Sequence, residues 1–288
     1  MRLSLTAAAL ALTFMVGAGV AFVALADEHS PRIVSADGSV TETIYALAAE
    51  DLLVGVDTTS NYPPAVKSLP RVGYLRALPF EGVLALRPDM LLTTVEAAPD
   101  KTLERLEQAG IEVIRLPVAY TPEDTLERIR RIGEVVGKQA NAKAMMEDIQ
   151  ARIQHLEKTV NGADQRVLFL MVAGGHGVTI AGADTTANAL LETLGATNAM
   201  ASVDGYKPAG REALLASRPD AIVIAETRPG EFKIADWPQL AALDAWKQGR
   251  YYVGDAMLLL GFGPRLAQAL EAVASVLKPV ERVAGNDT

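Results

Sequence analysis

The sequence predicts an α/β protein built from two lobes, with mostly parallel sheets and a ligand cleft between the lobes. Three observations support this prediction: a motif that occurs twice, apolar segments that alternate with amphipathic ones, and one long helical stretch between the two halves. The chain has 288 residues, of which 50% are hydrophobic and 22% charged, which is typical of a folded protein long enough for two domains.

The repeated motif occupies residues 81–92 and 212–224. Each copy starts with a Glu, continues through a Leu-Ala pair to Arg-Pro-Asp, and ends in an apolar run, all at the same spacing. The pattern predicts a short helix, a proline break and a buried strand. Because the Glu is shared as well, we interpret the motif as a true repeat rather than the chance recurrence of a common helix–strand connection. Two similar lobes enclose one cleft, and ligands favour such inter-domain clefts.

In the first half, strand-like and helix-like segments alternate. We expect strands at residues 32–35, 52–56, 90–92 and 112–116, and helices at 39–47 and 103–109. Ser39 and Glu42 have capping-box spacing, which predicts that the first helix begins at Ser39. This alternation indicates a mostly parallel sheet with helices on its faces.

Residues 122–160 are predicted to form a single long helix between the lobes, because apolar residues from Leu126 to Leu156 recur at helical spacing. Gly137 is a weak point in this helix, and the apolar positions are too irregular for a coiled coil. The second half repeats the alternation of the first, so each lobe is expected to be Rossmann-like. Its strands are expected at 166–172, 221–224 and 251–253, and its helices at 186–194 and 265–276.

The N-terminal segment is apolar from Leu3 to Leu25 and ends in Ala24-Leu25-Ala26. This predicts a secretory signal peptide cleaved after Ala26, with an uncleaved membrane anchor as the alternative. The expected organisation is therefore a signal peptide (1–26), an N-terminal lobe (27–121), an inter-lobe helix (122–160) and a C-terminal lobe (161–288). The chain has no cysteine, so neither disulfides nor lipid attachment through a cysteine is expected. These features predict a periplasmic protein.

Composition and motifs argue against several classes of function. The net charge of −8, without any basic run, gives no electrostatic footprint for nucleic acid. The sequence contains no nucleophile elbow, P-loop or zinc-protease motif, and its three histidines are far apart. The Gly-rich turn around His176 leaves a hydrolase as a remote alternative, without a recognisable nucleophile and base. We therefore expect a binding protein rather than an enzyme.

The most informative loop is Val72-Gly-Tyr-Leu-Arg-Ala-Leu78, which precedes the first repeat helix. Such a loop is expected at the carboxyl edge of the sheet, where open α/β sheets bind ligands. Tyr74 lies two residues before Arg76, and a nearby cation favours the phenolate form of a tyrosine. A phenolate can ligate haem iron. The alternative is that Tyr74 only packs at the rim.

The chain resembles the periplasmic haem-binding proteins of bacterial haem ABC importers, which belong to the cobalamin- and siderophore-binding class. The likeness covers nearly all of residues 31–280. It is carried by Ser39-Val-Thr-Glu-Thr-Ile, Asn61-Tyr-Pro-Pro, Val72-Gly-Tyr-Leu-Arg-Ala-Leu, Leu260-Gly-Phe-Gly-Pro-Arg and the two repeats. The resemblance implies two α/β lobes joined by one long helix. It also implies haem as the transported ligand and the permease dimer of an inner-membrane ABC importer as the partner.

The resemblance also implies roles for single residues. Tyr74 would be the axial iron ligand, and Arg76 would contact a propionate or the phenolate. Glu81 and Glu212 would dock onto arginines of the permease. His176 is a candidate for a further iron ligand from the second lobe. Arg228 is a loop cation expected near the cleft.

Three aromatic residues, Tyr206, Trp237 and Trp246, could pack on a porphyrin, although core or rim packing is favoured for each. The protein is predicted to be a monomer that binds no nucleic acid. A carrier of cobalamin or of a ferric siderophore is the main alternative function.

Overall fold

The computed structural model describes residues 30–160, 162–174 and 177–277. From Pro31 onwards the described residues form one compact unit. The predicted signal peptide lies outside the described residues, and so does its cleavage site after Ala26. The same is true of His176.

The first lobe contains a parallel sheet with helices on its faces, as predicted. Its strands are β1 (Ile33–Ala36), β2 (Leu53–Val56), β3 (Met90–Thr94) and β4 (Glu112–Leu116). They run in the order β2-β1-β3-β4, and every pairing is parallel. The helices are α1 (Gly38–Ala46), α2 (Phe80–Leu84) and α3 (Asp100–Gln108). Every residue of β1 is buried, as expected for a central strand covered on both faces.

A proline break separates helix and strand in both repeats, and both copies make the same contact with their own sheet. The carboxylate of Asp89 accepts a hydrogen bond of 2.8 Å from the backbone N–H of Arg32, just before β1. The carboxylate of Asp220 accepts one of 2.9 Å from the backbone N–H of Arg166. The shared Asp therefore ties each repeat to the start of the neighbouring strand, which explains why this residue occurs in both copies.

The second lobe contains a mixed sheet in the order β10-β9-β5-β6-β8, with β7 pairing to β5. Its strands are β5 (Arg166–Val172), β6 (Val178–Ala181), β7 (Thr197–Asn198), β8 (Tyr206–Pro208), β9 (Ala221–Glu226) and β10 (Tyr251–Asp255). Its helices are α6 (Thr186–Thr193), α7 (Arg211–Ala216), α8 (Pro238–Ala241), α9 (Asp244–Lys247), α10 (Ala256–Leu260) and α11 (Leu266–Ala274). The sequence did not predict β6 and β8, which pair antiparallel as short strands at one edge.

The helical segment between the lobes is not one continuous helix, which corrects the prediction for residues 122–160. It consists of α4 (Pro122–Val135) and α5 (Gln139–Thr159), which pack against each other. Gly137 has a φ of +68°, a left-handed conformation that ends a helix. A Cβ on Gly133 would lie 2.5 Å from Cβ of Ala142, so glycine at this position permits the close approach of the two helices. Among the described residues, no helix is both long and apolar enough to cross a membrane.

Helix α1 is capped by Asp37 and not by the predicted pair of Ser39 and Glu42. The Asp37 carboxylate accepts hydrogen bonds from the backbone N–H groups of Ser39 and Val40, at 2.8 and 3.3 Å. Glu42 instead turns inward, and its carboxylate receives hydrogen bonds from Nε and Nη2 of Arg265 at 2.8 and 2.5 Å. An ion pair with the other lobe therefore takes the place of the local cap.

The two lobes are held together by an apolar core and by two arginines. The core includes Ile44 of α1, Ile149 of α5 and Leu270 of α11. Arg265 forms the ion pair with Glu42 across the junction. Arg128 of α4 donates hydrogen bonds to the backbone carbonyls of Gly261 and Phe262 in the second lobe. These contacts place the two sheets on either side of one cleft.

Candidate ligand-binding cleft

A cleft of about 540 Å³ lies between the two lobes. Its volume falls in the range of small-molecule sites, about 300–1,000 Å³. The first lobe contributes Asp37, Thr59, Tyr74, Leu75, Arg76, Glu96, Val118, Ala119, Tyr120 and, from α4, Arg128. The second lobe contributes Met171, Ala173, Asp184, Thr185, Thr186, Tyr206, Thr227, Ala256, Met257, Leu260 and Gly261. The predicted position of the cleft is thereby confirmed.

The cleft residues are brought together because parallel strands end at the same edge of a sheet. In the first lobe, Asp37 follows the end of β1, and Glu96 lies two residues beyond β3. In the second lobe, Ala173 follows β5, Thr227 follows β9 and Ala256 follows β10. Both sheets therefore face the cleft with their carboxyl ends.

Tyr74 is held in the cleft by the backbone on either side of it. Gly73 has a φ of +103°, a conformation that favours glycine, and its carbonyl accepts a 2.8 Å hydrogen bond from the N–H of Thr58. Val72 and Leu75 are buried in the core of the first lobe. Because its neighbours point inward, Tyr74 points outward and remains 41% exposed in the cleft.

Arg76 connects Tyr74 to an acid that the sequence did not single out. Its Nη1 lies 3.3 Å from the Tyr74 hydroxyl, and its Nη2 lies 2.5 Å from Oε1 of Glu96. Partial burial lowers the pKa of Arg76, but the hydrogen bond and charge of Glu96, together with Tyr74, outweigh it and raise the pKa overall. The guanidinium is therefore a permanent positive charge beside the Tyr74 oxygen.

Tyr206 of β8 faces these groups from the second lobe. Although Tyr206 is exposed as a residue, partial desolvation of its phenol in the cleft raises the pKa, while a hydrogen bond with Thr186 and the charge of Arg76 oppose that rise. Of the three aromatic residues predicted as candidates for packing on a ligand, Tyr206 lies in the cleft lining. The other two, Trp237 and Trp246, pack against the apolar core of the second lobe and are not among the cleft residues.

The remaining wall combines apolar side chains with polar ones, which include Asp37 before α1 and Arg128 of α4. The apolar side chains are those of Leu75, Val118, Ala119, Met171, Met257 and Leu260. Arg128 is 3% exposed; burial lowers its pKa, and the charge of Asp37 opposes this. An amphipathic ligand fits this combination of apolar and polar side chains.

Three other residues selected from the sequence lie outside the cleft lining: Glu81, Glu212 and Arg228. Glu81 and Glu212 lie in the first turns of α2 and α7, where both are exposed. Arg228 pairs with Glu231 at 2.9 Å, and its side chain is 74% exposed. The cleft residues missed by the sequence analysis include Glu96, Tyr120 and Thr186. The available signal for Glu96 and Tyr120 was their position just beyond predicted strands.

Comparison with known proteins identifies the family. The model of the family described as "Periplasmic binding protein" matches residues 33–258. The chain is a periplasmic binding protein. This periplasmic binding protein is 32% identical over 257 residues to an uncharacterized ABC transporter substrate-binding lipoprotein of Bacillus subtilis, covering 86% of this chain and 80% of that one. Its family consists of substrate-binding proteins of transport systems, which act outside the cytoplasm.

Two further similarities are to proteins whose names state a ligand. A periplasmic heme binding protein from Pseudomonas aeruginosa has a similar structure, with 38% identity, a TM-score of 0.75 and coverage of 87% of this chain and 95% of the other. A vitamin B12-binding protein of Pectobacterium carotovorum is 28% identical over 195 residues, covering 67% of this chain and 70% of its own length. Proteins named for different ligands are therefore similar to this chain.

Proposed function

We propose that this periplasmic binding protein binds haem in the cleft between its lobes, with Tyr74 as the axial iron ligand. The haem is delivered to the permease dimer of an inner-membrane ABC importer, and the protein is a carrier rather than an enzyme. The observation that carries this proposal is the exposed Tyr74 hydroxyl in the cleft with the Arg76 guanidinium 3.3 Å away.

This pair of residues suits ferric haem for an electrostatic reason. Ferric iron binds the phenolate form of tyrosine, and an adjacent cation stabilises that anion. Arg76 can also bind a propionate through a charge-assisted hydrogen bond. Glu96 holds one side of the guanidinium and thereby fixes the position of the other side near Tyr74. Arg228 remains a prediction as a further cation for the propionates.

The walls of the cleft suit the macrocycle. Met171, Met257 and Leu260 offer apolar contacts, and Tyr206 presents an aromatic ring from the second lobe. Burying apolar surface contributes about 25 cal/mol per Å². The large flat faces of a porphyrin can therefore supply most of the affinity, while Tyr74 and Arg76 select the metal and fix the orientation of the macrocycle.

Titration of the purified mature protein with ferric haem tests this function. We expect a Soret band together with the charge-transfer absorption of a tyrosinate–iron complex. The end point of the titration gives the number of haems bound per protein. Ferric haem at the same concentration in the same buffer without protein is the control. A spectrum that stays that of free haem would contradict the proposal.

Cobalamin is the alternative ligand, because a vitamin B12-binding protein is among the relatives. Titration with cyanocobalamin in the same buffer separates the two. We expect saturable binding of haem and none of cobalamin. Saturation by cobalamin that Tyr74→Phe does not alter would favour the alternative, because that binding would not depend on the phenol oxygen.

We further propose that Glu81 and Glu212 contact the permease, one on each lobe. Glu81 lies 3.6 Å from Arg105 and its side chain is 80% exposed, so its carboxylate remains open to a second cation. Replacing both acids with Ala should leave haem binding unchanged and slow haem transport in reconstituted vesicles more than either single change. Transport at the wild-type rate by the double variant would refute this role.

Two further predictions concern export and the oligomeric state. The signal peptide is proposed to be cleaved after Ala26, so N-terminal sequencing of the exported protein should begin at Asp27. The mature protein should run as a monomer in size-exclusion chromatography.

A further inference from the structure

The two repeats expose corresponding side chains and also share the hydrogen bond of their aspartate. In each copy the Glu, the Leu three residues later and the Arg are exposed, whereas the Pro is buried. Arg87 and Arg218 both have a positive φ, of 49° and 39°. The copies therefore present the same side chains in the same local geometry, one on each lobe.

A leucine is exposed in each copy one helical turn after the Glu. Leu84 is 38% exposed and Leu215 is 40% exposed. Among the described residues, these two are the only leucines in the group of exposed large apolar side chains. The adjacent Val83 and Leu214 are fully buried and anchor α2 and α7 to the core. Leu84 and Leu215 therefore leave more than a third of their surface open to a contact outside the fold.

Single exposed apolar residues are common and carry no meaning by themselves. Here the same exposed leucine occurs beside the same exposed acid on both lobes, since positions three apart on a helix are neighbours. We propose that Leu84 and Leu215 are apolar anchors for docking on the importer permease, each inserted beside the contact made by Glu81 or Glu212. This inference rests on the proposed transport function and adds residues to its docking surface.

Each lobe presents one patch, formed by Glu81 with Leu84 or by Glu212 with Leu215, and the chemistry of these patches defines the partner. A surface that matches one patch presents a cation next to an apolar pocket, and a partner that matches both presents this combination twice. A permease made of two equivalent subunits meets that requirement. Acids at the rim mainly accelerate association, whereas buried apolar anchors slow dissociation.

The test measures binding of the haem-loaded protein to the permease–ATPase complex in lipid nanodiscs. Leu84→Ser and Leu215→Ser should each weaken binding about tenfold, mainly through faster dissociation, and the double variant more. Haem titration should be unchanged. Leu84→Met and Leu215→Met retain an apolar side chain of similar volume and should bind like wild type. Val95→Ser changes a residue that is 52% exposed outside both repeats and should also bind like wild type.

The salt dependence separates the leucines from the acids. The Ser variants should keep the wild-type dependence of association on ionic strength, whereas Glu81→Ala and Glu212→Ala should reduce it. Wild-type affinity in both Ser variants would overturn the role of the leucines while leaving the transport function intact. A wild-type protein that binds haem but not the permease would overturn docking and this inference together. Loss of self-association instead of permease binding would show that the leucines join two copies of this chain.

Discussion

Arg76 donates a 3.3 Å hydrogen bond to the hydroxyl of Tyr74, although both residues lie in an exposed loop. The contact persists because Arg76 is held on its other side by Glu96, which lies beyond β3. Two neighbouring segments of the sheet edge thus aim a positive charge at one phenol oxygen. This arrangement is the chemical basis of the haem proposal.

Replacing Arg76 with Ala should weaken haem binding while preserving the tyrosinate spectrum. The variant loses a charge-assisted hydrogen bond, worth about 1.5–3 kcal/mol, which corresponds to at least a tenfold increase in Kd. Arg76→Lys keeps the positive charge but loses the fork geometry of the guanidinium. Its haem affinity should therefore lie between those of wild type and Arg76→Ala. Competition with apomyoglobin measures the affinity, and unchanged affinity in Arg76→Ala would show that Arg76 is only a surface residue.

Replacing Arg265 with Ala should strongly destabilise the protein, because it leaves the carboxylate of Glu42 buried without its partner. The side chain of Glu42 is 3% exposed and that of Arg265 15%. Loss of one member of a buried pair costs about 3–5 kcal/mol. Denaturant unfolding measures this, and the double variant Glu42→Gln with Arg265→Ala should recover part of the loss. Destabilisation below about 1 kcal/mol would place this ion pair with ordinary surface pairs.

The destabilisation of Arg265→Ala should increase with pH. Burial raises the pKa of Glu42, and the hydrogen bond and charge of Arg265 offset only part of that rise. A raised carboxyl pKa means that the fold favours the protonated acid; the associated stability is complete below the unfolded-state pKa and is lost as pH rises through the folded-state pKa. Without Arg265 the folded-state pKa rises further, so the variant should lose more stability at about pH 8 than at about pH 5. An equal loss of stability at the two pH values would contradict this prediction.

His176 remains a prediction as the second axial ligand. If it binds the iron, wild-type ferric haem should be six-coordinate and low-spin, and His176→Ala should convert it to a high-spin form. Electron paramagnetic resonance distinguishes these states. His155→Ala is a control at a histidine of α5, remote in sequence from the Tyr74 loop. A wild-type complex that is already five-coordinate and high-spin would exclude His176.

Much of the fold is predictable from the sequence because apolar periodicity determines it. The strand at 112–116 and the strand at 166–172 have the predicted bounds. The edge strand β8 could not be predicted, since it consists of three exposed residues without apolar alternation. The break in the inter-lobe helix falls at Gly137, which the sequence marks as a weak point without predicting its left-handed conformation.

The cleft was predictable only in part. Tyr74 and Arg76 belong to a distinctive motif in a Gly-anchored loop. Glu96 and Tyr206 come from segments far away in the sequence, and only the tertiary fold brings them near Tyr74. Glu42 had the spacing of a local cap, yet its partner Arg265 is in the other lobe. Contacts between distant segments therefore account for most of what the sequence analysis missed.

The central claim is that the oxygen of Tyr74 binds the iron of haem. Tyr74→Phe retains the ring and removes that oxygen, so haem can still enter the cleft and contact its apolar walls. Absorption and resonance Raman spectra of the ferric haem complex, recorded for wild type and Tyr74→Phe at equal loading, are the direct measurement. We predict that the tyrosinate–iron charge-transfer band and phenolate vibrations are present in wild type and absent in Tyr74→Phe, with weaker haem binding. Identical spectra for the two proteins would contradict the assignment.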